Sequence, residues 1–259
     1  ISSGLVGSEM CIRDSFSRGF PVPEVFFYEG NSSIVGSEFY IMNYIKGEAP
    51  SDNPPYHMDP EGMMGRANSE KRRNVWTDWL FHLSNLHNLN LNDFSLDDFC
   101  KEDINRNLVK NDIEYYKNFL DWGMDGEQNI LCDDVIKWLK RNIPSDSNPN
   151  KLCWGDSRLG NVLYQDYKAK ALLDWEMSSI GDPISDLAWG FAVDDASSLG
   201  LGIKKLDGSL TSSEAIDIWE KNTNLSSKNY KFYRIFSLLK FTIIMIRVAK
   251  KLMINNIIE

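Results

Sequence analysis

Histidine, paired cysteine and long apolar runs are all scarce in this chain, and each scarcity removes a class of protein. The three histidines, His57, His82 and His87, are few for a metal-ligand cluster. His82 and His87 lie five apart and share a helical face poorly. The four cysteines, Cys11, Cys100, Cys132 and Cys153, stand far apart without a C-x-x-C pair. That suits reduced thiols in a cytoplasmic protein better than a disulfide framework or a zinc site. Positive charge is short as well: 28 Lys and Arg against 37 Asp and Glu leave a net charge of −9. Such a balance argues against a nucleic-acid phosphate backbone as partner. The longest apolar run, from Leu238 to Ala249, carries Lys240 and Arg247. It falls short of the roughly 20 residues that a membrane span needs. A buried core helix is expected there instead.

What is present is ordinary globular material: 259 residues, 42% hydrophobic and 25% charged, enough for one large domain or two small ones. Residues 1–15, ISSGLVGSEMCIRDS, have no period of either kind and resemble a translated sequencing adapter. They are expected to be a non-native or disordered leader. EVFFYEG and EFYIMNYIKG flank a turn-rich NSSIVGS and predict a hairpin. The Pro-rich APSDNPPYHMDPEG follows as a connector, which marks residues 16–48 off from 49–259. Helical spacing predicts a helix from about Ser69 to Asn88, through Val75, Trp79, Leu83 and Leu86. A second carries Ile104, Leu108, Tyr115, Tyr116 and Phe119. A third carries Val135, Ile136 and Leu139 and stops before Pro144. Two more are expected over Ser213–Glu220 and Tyr230–Met253.

The chemistry concentrates in Lys151–Gly190, KLCWGDSRLGNVLYQDYKAKALLDWEMSSIGDPISDLAWG. Lys151–Trp154 reads as a strand ending in Gly155-Asp156. NVLY and ALLD read as two more strands around a turn at Gln165–Lys168. Such a hairpin brings Asn161 close to Asp174. Hard oxygen ligands with room for water are what Mg²⁺ prefers, and a separate carboxylate could take a proton from an attacking hydroxyl. On spacing alone Asp156, Asn161 and Asp174 fit turn-capping roles equally well. Trp154, Trp175 and Trp189 are expected in the core, and His87 as a packed helical histidine.

W-G-D-S-R-L-G-N, with L-L-D-W-E and G-D-P-I-S-D-L-A-W after it, resembles the aminoglycoside-phosphotransferase-like family of the protein-kinase superfold. The similarity is strongest to the branch related to kinase-like domains fused to acyl-CoA dehydrogenases, and it runs from about Pro21 to the C-terminus. The resemblance implies an α+β, protein-kinase-like fold with a mostly helical C-terminal lobe and an incomplete N-terminal β lobe. It implies ATP and Mg²⁺ as cofactors and a small-molecule hydroxyl as acceptor. Asp156 becomes the base, and Asn161 and Asp174 the Mg²⁺ ligands. Arg158 becomes a steadying cation on the transferred phosphoryl group, with a surface ion pair as its alternative. Backbone groups of Asn43 and Ile45 would meet the adenine edge. Asp186 becomes a helix-start and loop-bracing carboxylate. Glu176 is read as solvated or structural, with contact to a second metal as the alternative. Asp97, Asp98, Asp103 and Asp112 are read as a solvated face, or else as a lure for a cationic acceptor.

The chain departs from the family pattern twice. Trp154 replaces the usual His of H-G-D, where the His supports the loop. No Gly-rich loop or strand lysine precedes the hinge, so the chain looks N-terminally truncated. The expected function is a small-molecule phosphotransferase, with a non-catalytic pseudokinase module as the alternative.

Overall fold

The computed structural model describes residues 12–13, 15–91 and 108–255. It has the expected α+β make-up: three two-stranded antiparallel sheets and a helical body. The first hairpin pairs β1 (Val25–Glu29) with β2 (Phe39–Met42), matching Tyr28 to Tyr40. Two backbone links join this region to the body. Leu172 N donates to Pro21 O at 2.7 Å, and Glu48 exchanges hydrogen bonds with Tyr164.

After the one-turn α1 (Met63–Arg66), α2 spans Ser69–Asn88. Asn68 starts it by accepting from Lys71 N at 2.9 Å, the usual service of an N-cap amide. Val75, Trp76, Trp79, Leu80, Leu83 and Leu86 face inward. α3 (Val109–Met124) and α4 (Ile130–Arg141) follow; Ile104 and the acids Asp97, Asp98 and Asp103 lie outside the described residues. β3 (Lys151–Cys153) pairs with β6 (Ser179–Gly181), a three-residue strand that no sequence period announces. β4 (Val162–Gln165) and β5 (Lys168–Leu172) form the second predicted hairpin. Its two-residue turn, Asp166-Tyr167, has φ of +52° and +62°. Positive φ at both positions matches the right-handed twist of the strands. β5 ends at Leu172, short of the ALLD expectation, and leaves Asp174 in the loop beyond it.

α5 (Ile184–Ala196), α6 (Ser212–Thr223) and α7 (Tyr230–Ile254) complete the body. α5 is buried nearly all round, as a helix at the centre of a domain must be. Phe191 stacks on Trp76 with centroids 5.1 Å apart, and Trp79 meets the same ring edge-on at 6.1 Å. Each such ring removes roughly 150–250 Å² from water, so this cluster sets how α2 and α5 pack. The buried residues of α7 are Phe232, Tyr233, Phe236, Ser237, Leu239 and Ile243. Among the described residues no helix is long and apolar enough to cross a membrane.

Candidate active site

The loop between β3 and β4 carries Asp156, and three surrounding elements determine its shape. Gly155 has φ of +87°, and a Cβ there would fall 1.9 Å from Met177 O. Only glycine accepts both the left-handed backbone and the contact. Gly155→Ala is expected to cost roughly 2–4 kcal/mol through strain and overpacking. A thermal denaturation midpoint unchanged in that variant would contradict this account of the loop.

From α5, Asp186 reaches across with both carboxylate oxygens. Oδ2 accepts from Trp154 N at 2.7 Å and Oδ1 from Gly155 N at 2.9 Å. The expected loop bracing is thus present, but the helix start belongs to another acid. Asp182 Oδ1 accepts from Ile184 N at 3.2 Å, because Asp186 already lies inside the first turn. His87 does more than pack. Trp219 Nε1 donates to its Nδ1 at 2.9 Å, which puts the ring proton on Nε2, 3.1 Å from Asp186 Oδ2. Trp79 Nε1 also holds the loop, donating to Ser157 O at 3.1 Å. Trp154, at the variant position, donates from Nε1 to Leu173 O at 2.9 Å. It therefore ties the Asp156 loop to the residue preceding Asp174.

The Asp156 carboxylate collects three side-chain donors. Trp189 Nε1 meets Oδ1 at 2.6 Å, while Arg158 Nε at 3.0 Å and Asn161 Nδ2 at 2.8 Å meet Oδ2. Asn161 is buried, and its Nδ2 also donates to Asp156 O at 2.9 Å. Its backbone carbonyl accepts from Leu173 N at 2.8 Å, so the hairpin places Asn161 beside the Asp174 loop. Asp174 itself is exposed, at φ +59°. Arg158 spans two acids: it pairs with Asp156 and, through Nη1, with Asp52 of the connector. Asp52 lies 106 positions from Arg158 in the chain, and no local motif flags that pairing.

Charge is crowded here. Partial burial first, then the Asp156 carboxylate, raises the Asp174 carboxyl above its ordinary range, with Arg158 opposing. Asp174 in turn is the main cause that raises Glu176. A divalent cation would relieve this repulsion. With its Nδ2 committed to Asp156, Asn161 has its side-chain oxygen left for a cation, and Asp174 adds a carboxylate. Among the described residues no three His, Cys or carboxylate side chains converge as a closed metal centre. One or two side chains suffice for Mg²⁺, with phosphates and water completing the shell. The residues fit.

Asp156, Arg158, Asp174 and Glu176 open on one cleft of about 1900 Å³, walled by α3, α5 and α7. Among the described residues its cationic lining is Arg158 and Lys240. Lys240 rests on aromatic faces, 4.8 Å from the Trp189 centroid and 5.4 Å from that of Phe236. That desolvation lowers its pKa, opposed by Asp112, which also lines the cleft. Asn43 and Ile45 are not brought to this cleft. Asn43 spends its N–H on Glu24 O at 2.8 Å, which leaves its carbonyl alone for any adenine contact.

A protein-family model described as "phosphotransferase enzyme family" matches residues 16–210. The human acyl-CoA dehydrogenase family member 11 is 28% identical over 176 residues, covering 67% of this chain and 21% of that protein. The mouse acyl-CoA dehydrogenase family member 10 is 27% identical over 254 residues, covering 91% and 22%. The chain thus spans about a fifth of the length of these curated relatives. A crystal structure of a candidate aminoglycoside phosphotransferase from Ralstonia eutropha superposes with a TM-score of 0.74 at 20% identity, covering 95% of this chain and 73% of that one. An ethanolamine kinase from Plasmodium vivax gives 0.59 at 12%, covering 93% and 66%. At such identities these likenesses show the fold, which is kinase-like.

Proposed function

The chain belongs to the phosphotransferase enzyme family, and on that premise we propose that it moves the γ-phosphate of ATP to a hydroxyl of a small molecule, with Mg²⁺. The observation that carries this reading is that Asp156 and Asp174 line one cleft, while buried Asn161 bonds the Asp156 carboxylate and, through its backbone carbonyl, the residue before Asp174. Asp156 accepts the proton of the incoming hydroxyl as the oxygen attacks phosphorus. Asn161 and Asp174 would hold the cation, and Mg²⁺ when bound would supply charge neutralisation on the phosphate oxygens. Arg158 steadies Asp156 and, once released from Asp52, can face the transferred group. The relatives' names suggest an acyl compound, which must then carry a hydroxyl to serve as acceptor, and the solved neighbours' names suggest an aminoglycoside or an amino alcohol. Calorimetric titration with ATP tests the nucleotide half. Binding should require Mg²⁺ and weaken at least tenfold in Asp174→Ala; equal affinity with and without Mg²⁺ would contradict the assignment. The paired state of Arg158 supports a second reading, a non-catalytic nucleotide-binding module, which predicts binding in that titration and no ADP release.

A further inference from the structure

The contact between Trp189 and Asp156 has no role in the scheme above, although it is the shortest of the three donor contacts at 2.6 Å. Only 3% of Trp189 is exposed. It stands on α5 three residues after Asp186, so both side chains leave the same face of one buried helix. Asp186 holds the backbone entering Asp156, and Trp189 holds the carboxylate itself. The next residue permits the close approach. A Cβ at Gly190 would lie 2.7 Å from Trp79 Cζ2 and 2.9 Å from Ser157 O. Over the indole, Lys240 Nζ sits 4.8 Å from the ring centroid, within cation–π range.

We propose that Trp189 is the positioning residue for Asp156, and that Lys240 seats the indole in that pose. The inference rests on the reading of Asp156 as the base. A carboxylate offers about four acceptor positions, and Trp189, Arg158 and Asn161 fill three, leaving one for an acceptor hydroxyl. Two of those donors belong to side chains with a second duty at another atom: Asn161 offers its side-chain oxygen to a cation, and Arg158 pairs through Nη1 with Asp52. Trp189 has none. An indole N–H is a donor only, so it neither takes the transferred proton nor leaves with a ligand. It therefore keeps the carboxylate from rotating when its other partners are drawn away.

Trp189→Phe keeps the ring under Lys240 and removes the N–H. The test is steady-state ADP release from Mg²⁺–ATP by the full chain, with water as acceptor. A tenfold to hundredfold fall in kcat is expected, as a misdirected group costs, with KM for ATP within twofold of the unaltered chain. An unchanged kcat, or a KM that rises in step with its fall, would overturn the proposal. A second readout is independent of turnover: the Trp189 indole ¹H–¹⁵N resonance, identified by its loss in Trp189→Phe. It should move in Asp156→Ala, and an unmoved resonance would also overturn the proposal. A chain that releases no ADP counts against the phosphotransferase reading, and the indole resonance then decides the Trp189 contact by itself.

Discussion

Asp156→Ala should abolish ATP-dependent phosphate transfer while leaving the fold intact. Loss of a positioned general base costs typically 10²–10⁴-fold, equivalent to about 3–5 kcal/mol of barrier. The fold should survive because the carboxylate is not a keystone of the core. Its partners Arg158 and Asn161 keep others: Asp52 for the guanidinium, and Asp156 O for the amide. Trp189 alone loses its acceptor, at roughly 1–3 kcal/mol for an unpaired buried donor. Asp156→Asn is a useful companion, since it keeps the size but turns an amide N–H toward one of three donors. Both variants should melt within several degrees of the unaltered chain, and neither should transfer phosphate. Turnover within twofold of the unaltered chain in Asp156→Ala would remove Asp156 from the role of base.

Asp186→Ala should produce the largest stability loss at the site. Asp186 is 1% exposed and satisfies two backbone N–H groups and the His87 ring. Removing it strands all three in a dry interior, and breaking such a buried charged network costs roughly 3–5 kcal/mol. For a domain of this size that lowers the thermal midpoint by on the order of 10 °C. The damage should spread to Gly155, whose N–H at φ of +87° is held by this bond. A circular-dichroism melt checks this directly, and a shift under about 2 °C would show that the loop does not depend on Asp186.

Long periodic segments were the most legible part of the sequence. Ser69–Asn88 matches the helix residue for residue, because Asn68 caps its start and six apolar residues at helical spacing fill its inner face. The β4–β5 hairpin was legible through its turn, and with it the closeness of Asn161 to the Asp174 loop. Bracing by Asp186 was legible through the motif alone. What stayed hidden depends on three-dimensional return. Trp189 read as core, and it is core, but its single polar atom reaches the Asp156 carboxylate. His87 read as packed, yet it links Trp219 to Asp186, a residue 99 positions away. Asp52 sat in a connector whose prolines announced only irregular backbone. β6 is too short for any period to mark it. Side-chain partners far apart in the chain leave no local trace, and the site is built mostly from those.

The central claim is transfer of phosphate from ATP to an alcohol, and phosphorus NMR observes that transfer itself. The chain would be mixed with ATP, Mg²⁺ and a panel of small alcohols that includes aminoglycosides, amino alcohols and hydroxyacyl compounds. The account predicts loss of the γ-phosphate signal and growth of a phosphomonoester resonance with one acceptor class, absent without Mg²⁺ and absent in Asp156→Ala. Unchanged ATP signals across the panel, in a chain that binds ATP, would contradict it.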